Sequence, residues 1–370
     1  MSHLVFAGPA RLLLAALALS SASAQTPRAV VMNLAAHPDD EDGLTLAYAR
    51  GHDHDAAISV IYTRGDGGQN EIGPDLYERL GAIRTVETED AARVLGTHVL
   101  FLNFYDFGFS KHAAEAFDEW SRPRTGFWDT SAPTLGPVQG RDRVVAQVVE
   151  QIRRYRPTVM FTNHDTLTVW PDAQHGQHQV VGISAMDAFR LAADPAYHPE
   201  QLALPGVRLW QPSRLFVRQR SRTPRTVVAV PVGDRCDATA VRPAELCADR
   251  AVAAAALHES QGFAIFAPRF RADTTYFELY ASAPGAPPVP PRATSLLAGL
   301  DAPPAPELPL TARIDLGDVP PLAGLAAEPA EVIPGERVRL TWTPRSGTLH
   351  LPAGLAGGTE QTLDLMKALG

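Results

Sequence analysis

The chain has 370 residues, 45% of them hydrophobic, and a formal net charge of -8. That length fits one sizeable domain with something smaller beside it, and the apolar content suffices for a large buried core. The acidic balance argues against a nucleic-acid partner, whose phosphates need a basic face.

Arg11, the apolar run 12–19 and the small-residue exit 20–25 have the order of a secretory signal peptide, cleaved after Ala24. The apolar run is too short to span a bilayer, and no later stretch looks transmembrane. A secreted or periplasmic protein without an integral membrane segment is therefore expected.

Residues 30–36 form a short apolar run ending at His37-Pro38, which reads as a buried strand. Residues 40–50 predict a helix, and 57–62 a second strand that stops at the loop chemistry of Thr-Arg-Gly-Asp-Gly-Gly. Helical spacing over 76–95 ends at Gly96. Strands follow at 99–102 and 158–162, with helices at 144–154 and 178–191. Residues 208–217 and 226–232 read as later strands, and 251–258 as an alanine-rich helix. Strands alternating with helices predict an α/β fold, Rossmann-like, with a mostly parallel sheet and helices on both faces. Ligands in such folds sit beyond the carboxyl ends of the strands.

Eight prolines between 283 and 307 read as a stiff, extended linker. The expected domains are thus a leader at 1–24, a main domain at 25–282, the Pro-rich linker at 283–307 and a short C-terminal β-rich segment at 308–370. Residues 337–342 supply the alternation for one strand of that segment. The cysteines Cys236 and Cys247 are expected to pair as a local staple of an exposed loop.

Two motifs carry the chemistry. His37 and Asp40 lie three apart across a predicted strand-to-helix turn, and His175 and His178 lie three apart at the start of a helix. A catalytic zinc takes three protein ligands and keeps one position open. His37, Asp40 and His178 supply that set. Asp39 shares the loop without needing to ligate, so it is the candidate general base. A protonated His175 beside the metal could serve a developing oxyanion. Taken singly, either motif also reads as plain structure, the first as an acidic helix cap formed by Asp39 or Asp40. Their joint placement after strands favours metal. The run His52-Asp53-His54-Asp55 reads as a solvated connection. Arg84 and Glu87 sit at i, i+3 and could simply pair. His164 and Asp165 end a strand and could orient a ligand or be ordinary loop residues. Trp120, Phe127, Trp128 and Trp170 could stack on sugar rings at the rim or pack their own loops.

The residues 36–41 (Ala-His-Pro-Asp-Asp-Glu), the loop 63–68, Arg84 with Glu87, Asp106, His175-x-x-His178, the run 258–261 and the strand at 277–279 resemble, in order, the LmbE-like or PIG-L family of zinc-dependent N-acetylglucosaminyl deacetylases. The resemblance spans about 29–281. It implies Zn2+ on His37, Asp40 and His178, Asp39 as base and His175 at the oxyanion. It alone implies substrate contacts from Arg84 and Asp106. An amino-sugar glycan or glycoconjugate is the implied substrate, with acetate released. A zinc amidase on another N-acyl conjugate and a non-catalytic glycan-binding module are the rival readings. Many members carry an acidic residue between the two histidines. Here Gln177 stands there, which implies a lower His175 pKa if that carboxylate tunes the pair. Trp170-Pro171-Asp172 replaces a common tyrosine, and the 111–140 insertion is long.

Overall fold

The computed structural model describes residues 28–122, 133–165 and 174–301, with three short strands at 326–328, 337–341 and 360–364. The expected leader and the aromatics Phe127, Trp128 and Trp170 lie outside the described residues. In chain order the main elements are β1 (Val30–Ala35), α1 (Gly43–Gly51), β2 (Ala56–Thr63), α2 (Glu78–Leu95), β3 (His98–Phe104), α3 (Ala113–Ser121), α4 (Pro137–Tyr155), β4 (Val159–Thr162) and α5 (Gly176–Leu191). Then come β5 (Arg214–Gln219), β6 (Val228–Val230), β7 (Arg235–Cys236), β8 (Glu245–Leu246), α6 (Cys247–Ala255) and β9 (Thr275–Ser282).

The central sheet has the order β3-β2-β1-β4-β5-β9-β6. Its first five strands are parallel, and β9 runs antiparallel between β5 and β6. The expected mostly parallel α/β sheet is therefore present, closed on one side by an antiparallel pair. Every residue of β1 and β2 is buried, which is why both read as continuous apolar runs rather than alternating ones. Successive side chains of β1 point to opposite layers. Val30, Met32 and Leu34 pack with residues of α3, α4 and α5, while Val31 packs with α1 and α6. Helices thus cover both faces. Strand order reverses at β1, with β2 on one side and β4 on the other. The crevice beyond their carboxyl ends is where such sheets hold ligands.

Several elements differ from expectation. The helix predicted from 40 starts at Gly43, because Asp42 is its N-cap and accepts from the Thr45 N–H at 3.2 Å. Asp39 and Asp40 are thereby free of the capping role. The aromatic 111–140 insertion contains α3, whose Trp120 is 1% exposed and stacks on Phe104 at 4.9 Å. Its indole donates to the Tyr105 carbonyl. Trp120 is thus a core residue and not a rim platform. Asp55, placed by sequence in a solvated connection, is 1% exposed.

Residues 283–301, read as the start of an extended linker, pack on the domain. Ala293, Leu296 and Leu297 join the core on the α1 and α6 side. The buried Arg214 guanidinium donates to the carbonyls of Pro287 and Ala298 at 2.8 and 2.7 Å. Proline has no N–H to offer a neighbouring carbonyl, and an arginine with five donors supplies what is missing. Cys236 and Cys247 are bonded, and both are fully buried between β7 and α6 rather than in an exposed loop. The described C-terminal strands β10 (Ala326–Glu328), β11 (Arg337–Thr341) and β12 (Glu360–Asp364) form an antiparallel sheet of order β10-β11-β12. Among the described residues no helix is long and apolar enough to cross a membrane.

Candidate metal centre

The turn after β1 carries His37 to Glu41, and the N-terminus of α5 carries His175 and His178. Across this crevice three donor atoms make a nearly equilateral triangle. His37 Nδ1 lies 3.0 Å from Asp40 Oδ2, and His178 Nε2 lies 3.2 Å from each of them. Zinc bonds of about 2.0 Å at tetrahedral angles separate ligand atoms by about 3.3 Å. The two imidazole nitrogens and the carboxylate oxygen therefore fit a small divalent cation with little adjustment. The same set suits zinc, iron, cobalt or manganese.

Two further histidines crowd the triangle. His175 can offer a nitrogen within 4.8 Å of His37 and His178, and His164 one within 4.8 Å of Asp40 and His178. His164 Nε2 already accepts from the Ala36 N–H at 3.3 Å, so its lone pair is spent on the backbone. Its ring stacks on His178 at 4.4 Å between centroids. His164 therefore braces His178 instead of competing for the cation.

Neighbouring carboxylates in the turn are driven apart. Burial opposes ionisation of Asp40, but His178, the His37 hydrogen bond and His164 hold it well below the usual carboxylate range. Burial and then the Asp40 charge push Asp39 up to about 8, with His258 opposing. One carboxylate stays anionic beside the imidazoles while the other holds its proton more tightly, the separation that distinguishes a ligand from a proton carrier. Burial, followed by the His178 and His37 charges, depresses His175 to about 3. Burial thus favours a neutral His175 imidazole, where the sequence reading expects a protonated one. Among the described residues its Nδ1 has no hydrogen-bond partner.

The Asp39 backbone has φ +92°, a region that favours glycine. Glu41 Oε2 accepts from the Asp39 N–H at 2.9 Å, and its Oε1 lies 2.8 Å from His258 Nε2. Gln261 donates to the Pro38 carbonyl at 3.0 Å, and Asn163 to the Asp40 carbonyl at 2.7 Å. Residues far along the chain thus hold the turn from both sides. Glu87, a candidate partner of Arg84, instead accepts from the Ser260 N–H and hydroxyl at 2.7 and 2.6 Å. It anchors the same clamp.

A cavity of about 450 Å³ opens over the triangle, lined also by Asp39, Arg84, Asp106, Phe109 and His175. Arg84 donates to the Gln69 carbonyl at 2.7 Å. The glycines of the 63–68 loop make room for these groups. A Cβ at Gly68 would sit 2.6 Å from the Arg84 guanidinium, and one at Gly67 would sit 2.3 Å from the Asp106 carbonyl. Asp106 follows β3, and its N–H donates to Asp66 at 3.1 Å. The crevice therefore gathers all seven residues singled out from sequence: His37, Asp39, Asp40, Arg84, Asp106, His175 and His178. The sequence alone gives no role to Asn163; Glu41, His258 and Gln261 enter only as members of the runs that carry the resemblance, and Gln177 only as a departure from it.

Such a crevice, at the switch point of a mostly parallel sheet and furnished with two imidazoles and a carboxylate, defines an α/β protein with a candidate hydrolytic metal centre. Residues 32–189 match the family described as PIG-L, GlcNAc-PI de-N-acetylase. Solved structures similar to it include the N,N'-diacetylchitobiose deacetylase of Pyrococcus horikoshii, at 17% identity over 68% of this chain and 83% of that one, with a TM-score of 0.46. A conserved protein of Thermus thermophilus matches at 20% identity over 70% and 99%, with a TM-score of 0.43. The 4-carboxy-2-hydroxymuconate hydratase of Pseudomonas putida matches at 13% identity over 69% and 97%, with a TM-score of 0.43.

Proposed function

We propose that the protein is a secreted, zinc-dependent N-deacetylase that hydrolyses the acetamide of an amino sugar, giving a free amine and acetate. The observation that carries this reading is the triangle of His37 Nδ1, Asp40 Oδ2 and His178 Nε2, with edges of 3.0 to 3.2 Å, in a stretch of chain that matches a de-N-acetylase family. His37, Asp40 and His178 would hold a divalent cation, which would supply Lewis acidity and lower the pKa of water so that hydroxide is available at neutral pH. Asp39 lines the cavity beside the triangle and, in its ionised form, which a cation at the triangle would favour, takes the proton of the attacking water and then passes it to the departing amine. His175, neutral and lining the same cavity, donates a hydrogen bond to the carbonyl oxygen as charge develops there. Arg84 and Asp106, which line the same cavity, orient the sugar. The leader-like run at 12–24 supports export.

Metal analysis of protein purified without added metal, paired with an acetate-release assay over a panel of N-acyl amino sugars, tests the proposal. Bound zinc and acetate release that disappears in Asp39→Asn are expected. Release of a larger acid without acetate would convert the reading to an amidase of other conjugates. Glycan binding without turnover in the zinc-loaded protein would make it a binding module. Amino-terminal sequencing of exported protein should begin at Gln25, and a mature chain retaining residues 1–24 would refute the leader.

A further inference from the structure

We propose that Gln177 is the positioning residue that fixes which nitrogen of His37 faces the cation and ties that choice to Asp106. The inference rests on the metal-site reading above and concerns the residue standing where relatives often carry an acid. The Gln177 side chain is fully buried at the first turn of α5. Its Oε1 lies 2.6 Å from His37 Nε2. Its Nε2 donates to Asp106 Oδ1 at 3.2 Å and to the Gly108 carbonyl at 2.9 Å.

The amide has a single satisfiable orientation. A carboxylate and a backbone carbonyl can only accept, so the NH2 group must face Asp106 and Gly108. Flipping the amide would set its oxygen against both. Oε1 therefore faces His37, and it too can only accept. His37 Nε2 must then carry a proton, and Asp106 Oδ2 at 4.0 Å from the same nitrogen favours it further. The Nδ1 lone pair is left for the triangle with Asp40 and His178. The two nitrogens of an imidazole divide their roles in this way when one is held by a fixed acceptor.

The neutral amide does something a carboxylate cannot do here. It accepts from the metal-side histidine and donates to the substrate-side aspartate through one rigid group. Asp106 also receives the Gly108 N–H at 2.8 Å on Oδ1, so its carboxylate is fixed from two directions.

Zinc affinity is measured by competition with a chromophoric chelator, alongside melting temperature and circular dichroism. Gln177→Leu keeps the bulk and loses the acceptor, and it should weaken zinc by about 10- to 100-fold. Gln177→Glu restores an acceptor toward His37 and should recover most of that loss while raising KM, because both donations to the Asp106 side are gone. A folded Leu variant that holds zinc like wild type overturns the proposal, as does a Glu variant as weak as the Leu variant. Nitrogen-15 NMR of the zinc-loaded wild type needs no variant. It should show the His37 proton on Nε2, and a proton on Nδ1 overturns the assignment. A wild-type chain that takes up no zinc defeats the metal reading itself, whereas zinc uptake indifferent to position 177 defeats only the role of Gln177.

Discussion

His258→Ala should destabilise the domain and loosen the catalytic turn together. The His258 and Glu41 side chains are 2% and 8% exposed, and their polar atoms meet at 2.8 Å. Truncating one partner of a buried pair costs about 3–5 kcal/mol, because the other charge is left without compensation. Glu41 keeps the Asp39 N–H, so the lower end, about 3 kcal/mol, is the working figure. For a domain of this size each kcal/mol lowers Tm by about 2–4 °C, giving a drop of roughly 6–12 °C. Glu41→Gln in the same background removes the stranded charge, and a double-mutant cycle should return a coupling of about 1–3 kcal/mol. Asp39 at φ +92° stores about 1–3 kcal/mol of strain that this clamp restrains. Hence kcat should fall more than zinc affinity, since His37, Asp40 and His178 are tied to one another independently of His258. Differential scanning calorimetry, acetate release and chelator competition read the three quantities. A His258→Ala melt within about 1 °C of wild type, with no coupling to Glu41, would refute the clamp.

Stability should decline with pH through Asp55, whose carboxyl burial and the Asp53 charge push up to about 8 while Arg28 and the Ala29 N–H oppose them. The folded state then keeps a proton that the unfolded chain loses near about pH 4, so stability falls as pH rises from about 4 to 8, by a few kcal/mol. Asp55→Asn should flatten the Tm–pH curve and melt higher than wild type at pH 9, and parallel curves would contradict this. Replacing Cys236 and Cys247 with alanine opens a loop of sequence separation 11 and should cost about 2–3 kcal/mol, read as a lower denaturation midpoint at unchanged m-value. Stripping divalent metal with a chelator should lower Tm, because zinc at about 1,000 times its Kd adds about 4 kcal/mol to the folded state. Calorimetric curves that coincide with and without chelator would count against a bound cation.

The parallel sheet was legible because β1, β2 and β4 are buried on both faces and so read as unbroken apolar runs bounded by loop chemistry. The start of α1 was misplaced by three residues because Asp39, Asp40 and Asp42 are equally good caps in isolation. Only the fold shows that Asp42 accepts from Thr45. Helix α3 was hidden inside an aromatic insertion, since Phe117 and Trp120 suit a rim as well as a core until the strand beneath them supplies Phe104. The proline-rich stretch misled for a related reason. Leu296 and Leu297 are buried by packing onto the sheet layer, and Arg214 answers the carbonyls of a segment more than 70 residues away.

What divides the readable residues of the site from the unreadable ones is the kind of property each contributes. His37, Asp40, His175 and His178 are donors whose chemistry is stated by their identity and local spacing. Gln177 is a neutral amide whose part depends on accepting from a residue 140 positions away and donating to one 71 positions away. Glu41 likewise acts through His258, 217 positions distant. No local pattern can encode such a pairing, because the geometry arises only when strand order brings the ends of β1, β3 and α5 together. Ligand identity is thus written in the chain, while ligand orientation is written in the sheet topology. A variant set confined to the histidines and aspartates would measure the first and leave the second unseen.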